Sequence, residues 1–298
     1  MAGSESGSAR SIIAPLDGSD MGQFAAPYIA ACARALGLHV TVARIVEGGA
    51  WQTGDSGYLL APSAYKQAQD AVMESANADV QRICDWLGAV GVTAQPAVKN
   101  GSARDELVRL EAESDAPLTV MATHARTGLA RIAFGSIADY IVRYGTCPVL
   151  LVRAMGPLIE SPALERALIP LDGSTASERA FDTLSTLAGS LIRRVTLLRV
   201  IDPDDPAGAS QQAATDLESA RARALQRVGE RGVTVDVAIH WGTPAAQILR
   251  ASGEHDLVLM TTHGATGPAR WALGSVSDEV VHTSIRPVII TRLPQVRG

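Results

Sequence analysis

The chain has 298 residues, enough for one large domain or two ordinary ones. A hydrophobic fraction of 47% excludes a disordered chain. A formal net charge of −5 argues against a broad footprint for a nucleic-acid backbone.

The pattern opens with a short apolar run that ends at Pro15-Leu16-Asp17-Gly18-Ser19, suited to a strand buried on both faces. Helical spacing follows over Ala25–Leu36, then a strand over Val40–Val46 and a longer helix over Tyr65–Val90. A third strand fits Thr93–Val98, a short helix follows Gly101, and a fourth strand fits Leu118–Ala122. A loop of nine residues then reaches Gly135-Ser136, a helix runs to Tyr144, and a last strand begins at Pro148. Residues 155–163, with Gly156, Pro157 and Pro162, read as a linker.

After the linker the same order returns. Pro15-Leu16-Asp17-Gly18-Ser19 recurs as Pro170-Leu171-Asp172-Gly173-Ser174, and Val40–Val46 recurs as Val195–Ile201, both 155 residues on. Thr123-His124, Gly135-Ser136 and Pro148-Val149 recur as Thr262-His263, Gly274-Ser275 and Pro287-Val288, 139 residues on. Five matched blocks in one order identify an internal duplication. The second copy predicts helices over Ser177–Leu191 and Gln211–Gly229, strands over Val233–His240 and Leu257–Thr261, and a last helix to Thr283. The expected domains are 1–154 and 164–298. Each is a doubly wound, Rossmann-like α/β unit with a five-stranded parallel sheet.

In such sheets ligands bind beyond the carboxyl ends of the strands, where Asp17, Asp172 and the histidine-containing loops fall. The loop Met260–Ser275 joins a strand to a helix. Its glycines permit close backbone approach, and the N–H groups of Gly274, Ser275 and Val276 lie at a helix amino end suited to phosphate. No Gly-Lys-Ser/Thr is present, so it is not a P-loop.

With these motifs in hand, the chain resembles the universal stress protein family in its tandem form, over nearly its whole length. The family's nucleotide motif is Gly, two residues, Gly, nine residues, Gly, then Ser or Thr. The second copy has Thr261, Gly264 and Gly274-Ser275 at those places, and the first has Ala122, Ala125 and Gly135-Ser136. The second site is therefore expected to be the more competent. The resemblance implies an adenine-nucleotide site, ATP with Mg²⁺, formed by Pro170, Leu171, Asp172, Val200, Met260, Thr261, His263, Gly264, Gly274, Ser275 and Val276. The matching first-copy set is Pro15, Leu16, Asp17, Ile45, Met121, Ala122, Gly135, Ser136 and Ile137. Arg131 and Arg270 occupy equivalent loop positions within reach of a terminal phosphate.

Other readings stand beside these. Ser136 and Ser275 suit helix N-caps, with Asp139 and Asp278 three residues on, and such a turn can still bind phosphate. The four tryptophans, Trp51, Trp86, Trp241 and Trp271, read as packing residues. No nucleophile–base pair or metal-ligand cluster is evident, so dedicated catalysis is not indicated, although slow ATP hydrolysis is compatible. The leading function is thus a nucleotide-binding stress-response regulator. The alternatives are a protein-interaction module without nucleotide and an ATP-hydrolysing enzyme of the same superfamily.

Cys32, Cys84 and Cys147 have neither disulfide nor zinc spacing, and no apolar run approaches a membrane span. The expectation is a soluble cytoplasmic protein that engages neither nucleic acid nor membrane, with a protein partner unspecified. The two copies should form an intramolecular pseudo-dimer through their last strands, Val149–Arg153 against Val288–Arg292. A homodimer of such chains is a further expectation.

Overall fold

The computed structural model describes residues 10–47, 62–124, 135–201, 203, 209–262 and 273–292. The first copy runs β1 (Ser11–Leu16), α1 (Gly22–Leu36), β2 (His39–Val46), α2 (Pro62–Ala89), β3 (Ala94–Asn100), α3 (Ala103–Glu113), β4 (Thr119–His124), α4 (Ser136–Tyr144) and β5 (Val149–Ala154). The second runs β6 (Arg166–Leu171), α5 (Ala180–Leu187), β7 (Arg194–Ile201), α6 (Ala209–Val228), β8 (Thr234–Trp241), α7 (Pro244–Ser252), β9 (Leu257–Thr261), α8 (Ser275–Thr283) and β10 (Val288–Thr291). Residues 155–163 carry no regular element.

The ten strands form one sheet in the order β3-β2-β1-β4-β5-β10-β9-β6-β7-β8. Within each copy all pairings are parallel, and the single antiparallel pairing joins β5 to β10 through Val149–Ile290, Leu150–Ile289 and Leu151–Val288. The two expected five-stranded sheets are thus fused at their last strands. Two arginines flank this seam reciprocally. Arg292 donates from Nη1 to the carbonyls of Arg143 (3.2 Å) and Gly145 (2.8 Å) at the end of α4. Arg153 donates to the carbonyls of His282 and Ser284 at the end of α8. Each satisfies carbonyls that a helix terminus leaves without intrahelical partners.

Strand alternation divides the apolar side chains between two helical layers. Ile12, Ala14, Val40 and Val42 pack with α1 and α2, and their second-copy counterparts pack with α5 and α6. Ile13, Ala43 and Met121 pack with α3 and α4, as Leu168, Leu198 and Met260 do with α7 and α8. Pro96 lies in β3, an edge strand, where its missing N–H costs no ladder bond. Cys32, Cys84 and Cys147 are buried free thiols.

Three expectations are corrected. The helix predicted over Ser177–Leu191 is a 3-10 turn at Ser177–Arg179 followed by α5, which stops at Leu187. Gly189 adopts φ +79° close against the Arg231 carbonyl, a conformation that breaks the helix and admits no Cβ. Ser136 and Ser275 are first helical residues rather than N-caps; Gly135 and Gly274 hold the cap positions, without a side-chain cap bond. Trp86 and Trp241 are not packed inside, being 37% and 51% exposed.

Candidate functional site

The site begins with the way each half-sheet opens at its switch point. β1 and β2 pair along six residues, but β1 meets β4 through Ile13 and Thr119, near the strands' amino ends. β6 meets β9 likewise through Ala167–Leu257 and Leu168–Val258. Beyond those rungs the central strands part, because the helices that follow them pack on opposite faces of the sheet. Each parting holds a cavity, of about 500 Å³ in the first copy and about 330 Å³ in the second, both within the range of small-ligand pockets.

In the second cavity, Pro170, Leu171 and Asp172 come from the end of β6, Val200 from β7, and Met260 and Thr261 from β9. Gly274, Ser275 and Val276 close it from the amino end of α8. His263 and Gly264 lie outside the described residues, as do Arg131 and Arg270. All nine first-copy candidates line the first cavity: Pro15, Leu16 and Asp17; Ile45; Met121 and Ala122; and Gly135, Ser136 and Ile137.

The chemistry is ordered across each crevice. Leu198, Val200, Ile248 and Met260 give the second cavity an apolar slot. At its mouth Asp172 Oδ1 accepts from the Ser174 N–H (2.9 Å) and hydroxyl (2.6 Å), and Asp17 and Ser19 repeat this at the same distances. The Asp-Gly turn needs glycine, since φ is +83° at Gly18 and +85° at Gly173. On the far side, Gly274 offers no capping side chain to the first N–H groups of α8, which face the cavity at the positive end of the helix dipole. A Cβ on Gly135 would meet nothing within 4 Å. In the first copy, then, the missing Cβ at the helix amino end leaves room for a phosphate.

The copies differ in two ways that motif spacing did not reveal. Ser277 donates from its hydroxyl to the Thr261 carbonyl (2.9 Å), tying α8 to β9, whereas the first copy has Ala138 at the matching place. Glu47 lines the first cavity and accepts from the Ala103 N–H (3.1 Å); its counterpart 155 residues on, Asp202, is also acidic and lies outside the described residues. Arg199 lines the second cavity beside Asp172. Recurrence of an arginine at 44 and 199 was the available sequence signal.

A larger groove, about 690 Å³, lies between β8 and α7. It carries Arg194 and Arg250 against Asp236 and Glu254, and lacks a helix amino end.

The profile of the universal stress protein family matches residues 8–153 and 164–292, so both copies are covered. The chain belongs to the universal stress protein family. A universal stress protein of Mycobacterium tuberculosis is 28% identical over 252 residues, spanning 82% of this chain and 79% of that one. Another, from Mycolicibacterium smegmatis, is 28% identical over 222 residues, spanning 70% and 73%. Among solved structures, a universal stress protein from Archaeoglobus fulgidus superimposes with a TM-score of 0.66 at 18% identity, covering 95% of this chain and 96% of that one. That likeness extends the shared fold over both copies. Among the described residues, no helix of this universal stress protein is long and apolar enough to cross a membrane.

Proposed function

We propose that this universal stress protein is a regulatory protein that binds adenine nucleotide, ATP with Mg²⁺ carried on its phosphates, and that residues 164–298 form the tighter site. The carrying observation is the convergence of three unlike surfaces on one crevice: an apolar slot, a carboxylate and an uncapped helix amino end. Adenine suits the slot between Val200 and Met260. A ribose diol suits Asp172, because a carboxylate accepts hydroxyl protons and repels phosphate. The phosphates suit the N–H groups of Ser275 and Val276.

Site strength follows from the electrostatics. Each cavity sets an aspartate, Asp17 or Asp172, against the phosphate chain, which Mg²⁺ would offset. Arg199 balances Asp172 in the second, and Ser277 fixes its helix. We read both cavities as binding sites rather than dedicated catalytic ones. Their described lining offers acceptors, donors and apolar surface but no nucleophile held by a base.

Calorimetric titration of nucleotide-free protein with ATP and Mg²⁺ tests the reading, alongside mass spectrometry of ligand released on purification. One tight and one weaker site, or one site alone in the second copy, is the expected result. No binding and no co-purified nucleotide would overturn it and leave a surface-acting interaction module as the function.

A further inference from the structure

In both copies an arginine from the end of the second strand lies over the Asp-Gly turn. A Cβ built on Gly18 would collide with the Arg44 guanidinium, and one on Gly173 would fall 3.1 Å from Arg199 Nη1. What holds the two guanidinium groups differs. Arg44 is ion-paired with Asp79 of α2, the two side chains being 18% and 17% exposed, and it does not line the first cavity. The position matching Asp79 in α6 is Ala220, at the 141-residue spacing that also separates Leu87 from Val228 and Val92 from Val233. Ala220 is buried, so a methyl group replaces the carboxylate.

Among the described residues Arg199 makes one long bond, from Nη1 to the Leu171 carbonyl at 3.4 Å, and no ion pair. It is half-buried and faces the cavity beside Asp172. A half-buried guanidinium that forms no ion pair with a described residue, although Asp172 lines the same cavity, is free to pair with a ligand anion, and its planar fork suits phosphate. That anion is not the 5′ phosphate chain. The amino end of α8 follows β9, and β6 stands between β9 and β7 in the sheet, so the two cationic features lie on opposite sides of the crevice. What lies on the Arg199 side, next to a carboxylate suited to a ribose hydroxyl, is the 2′,3′ edge of the sugar. In doubly wound folds a carboxylate takes a free ribose hydroxyl and a nearby arginine accommodates a ribose phosphate, so Asp172 would keep the free hydroxyl and Arg199 the phosphorylated one.

We propose that the second cavity selects adenine nucleotides carrying an extra phosphate on the ribose 2′ or 3′ oxygen, read by Arg199, while the first cavity has lost that preference because Asp79 holds Arg44. This rests on the adenine-nucleotide reading of the crevice. The second cavity then binds the plain nucleotide and holds its ribose-phosphorylated form more tightly still, while the first makes no such distinction.

The test compares AMP with adenosine 2′,5′-bisphosphate and adenosine 3′,5′-bisphosphate by calorimetry, with Gly135→Asp in place so that the second cavity is read alone. At least one bisphosphate should bind about tenfold tighter than AMP or better, from a charge-assisted pair at a partly buried site. In Arg199→Met that ratio should fall to near one. The stronger of the two bisphosphates identifies the oxygen. Conversely, Asp79→Ala in a Gly274→Asp background should confer the preference on the first cavity. If this variant folds poorly, Arg199→Met decides alone. AMP binding without preference for either bisphosphate, or a preference that survives Arg199→Met, overturns this inference and leaves the adenine-nucleotide reading intact. Absence of binding by all three ligands overturns both.

Discussion

Replacing Gly274 with aspartate should separate folding from binding. Gly274 caps α8 with φ −59° and ψ 150°, a conformation aspartate adopts without strain. Its carboxylate would accept from an N–H of the first turn and face the positive end of the dipole, so the nucleotide-free protein should gain a few tenths to about 1 kcal/mol. The same carboxylate would stand where phosphates are expected. Two unit charges at about 4 Å and an effective dielectric of about 20 repel by about 4 kcal/mol. Screening by salt and Mg²⁺ brings this to about 2–4 kcal/mol, so ATP affinity should fall about 30- to 1,000-fold. Urea denaturation without ligand and calorimetry with ATP measure the two effects on one sample. A variant that folds at least as stably as the parent and still binds ATP with undiminished affinity would refute the placement of phosphate at α8. A large loss of stability would refute the account of the cap.

Asp256, 7% exposed, accepts from the N–H groups of Glu165 (3.0 Å) and Arg166 (2.9 Å) and from the Arg166 guanidinium (2.8 Å). Asp256→Ala should therefore lower the unfolding free energy by about 2–3 kcal/mol in urea titrations. Burial pushes this carboxyl up, but its bonds to Arg166 outweigh burial and hold it below the usual carboxylate range. Its stabilisation is therefore complete above the ordinary aspartate value and lost only as pH falls through the lowered one, so the mutant's deficit should close only in strong acid. Glu111 behaves oppositely. Burial pushes its carboxyl up despite bonds from the Thr119 hydroxyl (2.6 Å) and the Thr146 N–H (2.7 Å). The folded state thus holds the proton longer than the unfolded chain, and stability should decline as pH rises from the ordinary glutamate value through the raised one. Urea midpoints of Glu111→Gln should lack that decline; an identical slope would place its origin elsewhere. Ser277→Ala, which copies Ala138 of the first half, should cost about 1 kcal/mol by denaturation and weaken ATP binding at the second site.

The fold was largely legible because two periodicities and one duplication carried it. Runs such as Ala167–Leu171 and Leu257–Met260 are apolar on both faces, which marks central parallel strands. The Asp-Gly and Gly-Ser pairs located the carboxyl edge, and so brought Asp172 and Gly274 to one cavity. What spacing did not carry was contact between distant segments. The pairing of β5 with β10 was expected from the family resemblance and is present, but spacing alone does not carry it, because it depends on the match of two strand edges. The end of α5 turned on Gly189 against Arg231, more than forty residues away in sequence. Strand alternation sends Arg199 toward the α5–α6 layer, away from the cavity; only its reach around Gly173 and the loss of an Asp79 equivalent bring it to the ligand side.

The antiparallel seam between β5 and β10 also has an evolutionary meaning. Strands that run in opposite senses on either side of it aim their carboxyl ends, and hence the two crevices, toward opposite flanks of a single slab. A partner docked on one flank meets one mouth only. In a dimer of identical subunits every substitution is written into both mouths at once, and a change harmful to either is eliminated. Here the codons for Asp79 and Ala220, or for Ala138 and Ser277, are free to drift apart, because each alters one flank while the other keeps its task. Fusion in a single chain turns a symmetric pair of pockets into two that can change independently on one sheet.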